Sequence, residues 1–272
     1  MQWRCAPIET ASSSGWPRMV TWTAPTSAVS PIPTTRSPHR CQCTWRVGCS
    51  RDSTRRHRVA WSVGCGAGAW LLELLESRPD LTAVGVDIAL HPERDQRAQE
   101  RGVADRLIWV EADAAAWAPD DAPPRDAVLC IGAGHAFGGL HDTLDAIRRH
   151  LRPGGCALLG ETLWEQQHPS VAAQEALGAG PEDFPTLAQF LRTCEEHGFE
   201  VGYAHVSGAP EWDDYEWSWT GSLVEWAQNA APSIADREQA LTAARTHRRQ
   251  WVEGYRGELG FVTAVLHDTR ID

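Results

Sequence analysis

The spacing of apolar and polar positions changes several times after residue 62, and each change marks an element. Val63 runs into Gly64-Cys65-Gly66-Ala67-Gly68 and then Ala69-Trp70-Leu71-Leu72-Glu73-Leu74-Leu75, which predicts a buried strand, a glycine turn and a helix with a leucine-rich face. Leu81 to Val86 alternates apolar with small residues and stops at Asp87. Leu107-Ile108-Trp109-Val110 stops at Glu111-Ala112-Asp113-Ala114, so two predicted strands end in carboxylates. A strand over Asp126–Gly132, a helix over Leu140–Leu151, the turn Arg152-Pro153-Gly154-Gly155 and a fifth strand over Cys156–Leu159 follow. Past Pro185 the pattern predicts a helix to His197, a strand over Phe199–Val206, a second helix over about 235–256 and a last strand over Gly260–His267. Between these, Trp212, Tyr215, Trp219, Leu223 and Trp226 recur at helical spacing, a core-facing stripe that leaves Trp217 to one side. Strands alternating with helices predict one α/β domain over residues 59–272, with a helical insert at 209–256.

The glycine turn is the first chemical signal. Glycines so spaced let the backbone leave a strand sharply, admit a ligand where a Cβ would stand, and aim helix N-terminal N–H groups at it. Gly64-x-Gly66-x-x-Ala69 also fits a dinucleotide fingerprint, and Asp87, about twenty residues on, is placed to accept hydrogen bonds from ribose hydroxyls. Taken singly, Asp87 and Asp113 also read as helix caps. Together the loop and the strand-end acids predict a nucleotide-like cofactor.

This order of elements resembles the class I S-adenosylmethionine-dependent methyltransferases, from about Val63 to the C-terminus. The resemblance implies a Rossmann-like, doubly wound, seven-stranded and mostly parallel sheet whose last strand is antiparallel, and S-adenosylmethionine as the cofactor. On it, Gly64, Cys65, Gly66 and Gly68 form the loop that carries the methionine moiety, Asp87 with Ile88 holds the ribose, Asp113 with Ala114 flanks the adenine, and Ile131 closes the site. The Pro-Gly-Gly turn before the fifth strand is a habit of that family. An NAD(P)-dependent oxidoreductase using the same loop and a damaged, non-catalytic copy are the alternatives.

Composition narrows the acceptor. All 25 basic residues are arginine, and the formal net charge is −11. Residues 1–58 carry nine arginines against Glu9 and Asp52, a net of +7, which leaves −18 on the rest. An acidic body disfavours a nucleic-acid backbone and points to a neutral or cationic small molecule. No apolar run reaches the roughly twenty residues that cross a bilayer, and the N-terminus lacks a compact apolar signal, so a cytoplasmic enzyme is expected. Methyl transfer needs alignment above all, and a base only where the acceptor must lose a proton. His135, in the glycine-rich loop after the fourth strand, and Glu161, after the fifth, are the two candidates. Trp164, Tyr215 and Trp217 are the candidate substrate contacts, the last two in a segment dense in aromatic and acidic side chains that suits a cation. No metal site is expected: Cys41-x-Cys43 with Cys49 and His57 has the wrong spacing for zinc.

Residues 1–58 show no period, yet hold four of the eight cysteines and four of the fourteen tryptophans, a composition that disorder explains poorly. An out-of-frame segment explains it better. With CGN arginine and TCN serine codons, reading from the third base of each codon forces Leu, Met or Val at Thr44, Gly48 and Ala60, Leu or Phe at Cys49 and Asp52, and Val at Trp61. Positions 44, 48, 49 and 52 then share one helix face, and a strand leads into the glycine turn. The relatives have such a helix over the cofactor and an acid where Ser62 stands, so the chain as written is expected to bind the cofactor more weakly than they do, or to be inactive.

Overall fold

β1 (Arg58–Val63) sits inside a seven-stranded sheet with β2 (Leu81–Asp87), β3 (Leu107–Glu111), β4 (Arg125–Ile131), β5 (Leu151–Trp164), β6 (Phe199–Val206) and β7 (Leu259–Asp268), in the order β3-β2-β1-β4-β5-β7-β6. This is a computed structural model, and it describes residues 58–117 and 124–271. The readings made above for residues 1–57 lie outside the described residues. All pairings are parallel except those of β7, which runs antiparallel between β5 and β6. The chain reverses its winding between β1 and β4, which opens a crevice at their carboxyl ends. Among the described residues, no helix is long and apolar enough to cross a membrane.

Alternation along the strands builds two cores. Val128 and Leu159 face one way, against Leu144 and Ile147 of α3 (Leu140–His150) and Phe190 of α5 (Leu187–Glu196). Leu129 and Leu158 face the other way, against Leu71, Leu72 and Leu75 of α1 (Ala69–Ser77), with Ala98 of α2 (Arg94–Glu100). Each large side chain so buried contributes about 2 kcal/mol.

Three elements depart from the sequence reading. The fifth strand is longer than Cys156–Leu159, so Glu161 and Trp164 lie within it; antiparallel β7 holds it extended as far as the Trp164–Leu259 pair, beyond the point where β4 ends. Between the fifth strand and the helix past Pro185, where the sequence reading predicts no element, the chain forms α4 (Val171–Leu177), whose first turn is capped by Ser170. The helix expected over 235–256 is α7 (Ile234–Arg249) followed by a π-helical turn, Gln250–Tyr255.

α6 (Ala209–Asn229), α7 and the π-turn form a cap. The buried line of α6 is Glu216, Thr220, Leu223 and Ala227, rotated by about one residue from the aromatic stripe. The rotation has an electrostatic reason. Glu216, 1 % exposed, accepts hydrogen bonds from the Trp219 indole (3.0 Å), the Tyr255 hydroxyl (2.7 Å) and the His247 ring (2.7 Å), donors that satisfy a carboxylate no apolar pocket would tolerate alone. The π-turn widens the helix where Tyr255 meets that carboxylate.

Gly64 joins β1 to the turn at φ +62°, and a Cβ there would collide with the Ala133 side chain of the β4 exit loop. The two loops that flank the switch point therefore meet through a missing side chain. Gly64→Ala is expected to cost about 2–4 kcal/mol, from left-handed backbone strain plus overpacking. The chemical-denaturation midpoint checks this, and an unchanged midpoint refutes it.

Candidate active site

The glycine turn is bound to β2 rather than merely near it. Cys65 N–H donates to the Val86 carbonyl at 3.0 Å and Gly68 N–H to the Cys65 carbonyl at 2.8 Å, which closes the turn. Gly66 N–H donates to Asp87 Oδ2 at 2.7 Å, and Ala89 N–H donates to Oδ1 at 3.1 Å. The strand-end acid is thus oriented by the loop it faces, and each oxygen retains a further lone pair for a ligand. A Cβ at Gly66 would meet nothing within 4 Å, so the outer side of the turn is open. Ile88 beside it is 75 % exposed, a large apolar surface that a flat ring would cover.

The third strand is tied to the second by Ala112 N–H donating to the Asp87 carbonyl at 2.9 Å. Asp113 is exposed, and its Oδ1 accepts from Ala115 N–H at 2.9 Å, so this acid caps its turn; Ala114 is buried behind it. Ile131 ends β4 and pairs with Gly160 of β5. These groups share one edge of the sheet, on the β3-β2-β1-β4 half.

His135 lies in the 3₁₀ turn Gly134–Phe137 and is exposed. Glu161 stands differently. Its Oε1 accepts the Thr162 N–H at 2.9 Å, while Oε2 is buried with no hydrogen-bond partner among the described residues. A Cβ built on Gly134 would lie 2.7 Å from Oε2, which places the carboxyl against the turn where β4 exits. Burial pushes its pKa up to about 7, against an ordinary 4.5. A carboxyl so tuned exchanges protons near neutrality. Cys65 and Cys130 do not compete as nucleophiles, since burial drives both thiols up to about 12.

The three candidate substrate contacts separate. Trp164 is buried against Phe184 and donates its indole N–H to the Gly180 carbonyl at 3.1 Å. Tyr215 packs edge-on against Trp212, and burial pushes its phenol up to about 12. Trp217 is 52 % exposed, lying against Trp251 with the Arg248 guanidinium 5.0 Å from its ring centre. A cavity of about 340 Å³ does open in the cap, but it is lined by Trp212, Trp251 and Tyr255. Its aromatic residues were legible only as packing, because each also falls on an apolar helix spacing.

Residues 61–157 match a family model described as a methyltransferase domain. The chain is 26 % identical over 169 residues to the uncharacterized protein YjhP of Escherichia coli (strain K12), covering 61 % of this chain and 67 % of that one. It is 33 % identical over 175 residues to a trans-aconitate 2-methyltransferase of Azoarcus sp. (strain BH72), covering 61 % of this chain and 65 % of the relative. The chain therefore spans about two thirds of these relatives. Among solved structures, a SAM-dependent methyltransferase from Geobacter sulfurreducens in complex with S-adenosyl-L-homocysteine superposes with a TM-score of 0.71 at 23 % identity, over 86 % of this chain and 91 % of the other.

Proposed function

Because the chain belongs to the class I S-adenosylmethionine-dependent methyltransferases, we propose that it methylates a small-molecule acceptor, with Glu161 moving the proton that the acceptor gives up. The observation that carries this is the 2.7 Å bond between Gly66 and Asp87, a glycine turn and an acid joined at the switch point of the sheet. The residues present suit the cofactor: the open side of Gly66, the free lone pairs of Asp87 and the exposed face of Ile88 match an amino-acid end, a ribose and a flat base in turn. Gly64, Cys65 and Gly68 would hold its methionine end, and Asp113, Ala114 and Ile131 its adenine. The bound cofactor would supply an electrophilic methyl group. Glu161, half protonated near neutrality, accepts the acceptor's proton, and His135, in the turn after β4, is the second candidate base. An acidic surface keeps nucleic acid out of the acceptor role. Family membership sets the oxidoreductase alternative aside. Titration with S-adenosylhomocysteine and with NADH tests the reading: the first is expected to bind and the second not, and the reverse would overturn it.

The domain in this reading is residues 59–272, and residues 1–58 are the product of a shifted frame. Two features at the frame junction support it. Trp61 Nε1 and Arg125 Nε are both buried without a hydrogen-bond partner among the described residues, although the Arg125 guanidinium lies 4.2 Å from the Trp61 ring centre. Ser62 is buried in β1 opposite Gly85 and Leu129, at the position where the family resemblance implies an acid. Resequencing the gene across the codons for Val59 to Val63 is expected to find two additional bases. An unaltered sequence there refutes the shift.

A further inference from the structure

The cap cavity has a charge balance that selects for one kind of ligand. Its aromatic walls are Trp212, Trp251 and Tyr255, and its charged residues are Glu165, Asp213 and Arg256. Arg256 and Asp213 neutralise one another in a two-point pair, with Nε to Oδ1 at 2.9 Å and Nη2 to Oδ2 at 2.8 Å. That pair holds the Asp213 carboxyl below the usual carboxylate range. The Glu165 carboxylate lies over Gly260, where a Cβ would strike it, and has no basic partner among the described residues. The cavity thus carries one uncompensated negative charge inside aromatic walls. A second polar group is unused: Trp212 Nε1 is buried with no hydrogen-bond partner among the described residues. A buried donor left unpaired is unfavourable, and a ligand oxygen would satisfy it.

We propose that this cavity binds a small organic cation, an amine or quaternary ammonium bearing a hydroxyl or carbonyl oxygen, with Glu165 and the aromatic rings taking the charge and Trp212 the oxygen. Cations held over aromatic rings and beside a carboxylate gain from both. An anion is disfavoured, because the cavity's guanidinium is already paired with Asp213. The position also relates the cavity to the reaction. It opens at the ends of β5 and β6 and the start of β7, the other half of the same sheet edge that carries the glycine turn. Glu161 lies in β5, and Glu165 directly follows its last residue, Trp164, so the two carboxyls belong to one short stretch of chain at this edge of the sheet. Resting on the methyltransferase reading, the cavity anchors the cationic end of an acceptor whose reacting atom lies toward Glu161.

Calorimetric titration of the full chain with choline, with its uncharged isostere 3,3-dimethylbutan-1-ol and with trans-aconitate tests this. Choline is expected to bind at least tenfold tighter than the isostere. Glu165→Gln is expected to erase that tenfold preference, and Trp212→Phe to weaken both ligands equally. Isostere binding equal to choline, tighter binding of trans-aconitate, or a preference that survives Glu165→Gln would each overturn the proposal. Circular dichroism of both variants guards against misfolding. S-adenosylhomocysteine titrated in parallel separates the two claims: its failure to bind sinks the methyltransferase reading whatever choline does, while its binding with no choline preference sinks only the cation site.

Discussion

Replacing Asp87 with alanine is expected to remove S-adenosylhomocysteine binding from the measurable range, a loss of more than a hundredfold. In the proposed cofactor site the carboxylate would accept two ribose hydroxyls, and each such bond to a charged group is worth about 1.5–3 kcal/mol. A second effect adds to the first. Asp87 Oδ2 also holds the Gly66 N–H, so alanine frees the turn as well as the sugar site. Asp87→Asn keeps an acceptor oxygen for Gly66 and should lose less, which separates the two contributions. Calorimetry on the chain as written, and on a version carrying residues from the alternative frame, provides the measurement. Unchanged affinity in Asp87→Ala would refute the assignment.

Glu161→Gln is expected to abolish methyl transfer while making the protein more stable at alkaline pH, a combination that marks a strained functional group. Its pKa of about 7 in the fold lies above the ordinary 4.5. The folded state therefore binds more protons between those values, and stability falls as pH rises from about 4.5 through 7. Above pH 8 the charged carboxyl costs on the order of 3 kcal/mol, which glutamine does not incur. The variant should melt higher than the parent at pH 8 and nearly with it at pH 4. Turnover of the parent should rise through about pH 7 as the base form appears. A flat pH profile, or equal melting at pH 8, would exclude the role.

Much of this site could be read from the chain alone. The shift from period two to period 3.6 on either side of Gly64–Gly68, and the acids that close two apolar runs, follow from local chemistry, so the loop and the place of Asp87 at a strand end were legible, while the arrangement of the sheet came from the family resemblance. What escaped depends on partners distant in sequence. The true length of β5 is set by β7, about a hundred residues later, so Glu161 read as a residue beyond the strand instead of one inside it. Its raised pKa comes from enclosure by Gly134 and its neighbours, which no spacing reports. The cap aromatics escaped for another reason. A stripe at helical spacing names a face, but the buried Glu216 and its three donors turned that face by one residue. The cavity consequently fell to Trp212, Trp251 and Tyr255, away from Trp164 and Tyr215.

The insertion of β7 between β5 and β6 also bears on synthesis. Val262, Ala264, Val265 and Leu266 are wholly enclosed, yet they belong to a strand made after both of its neighbours. Until residue 268 has left the ribosomal tunnel, two open edges wait side by side. A chain truncated at residue 255 should be cut by protease within 199–255 while the first four strands resist, so the β5-β7-β6 half of the sheet is the last to mature.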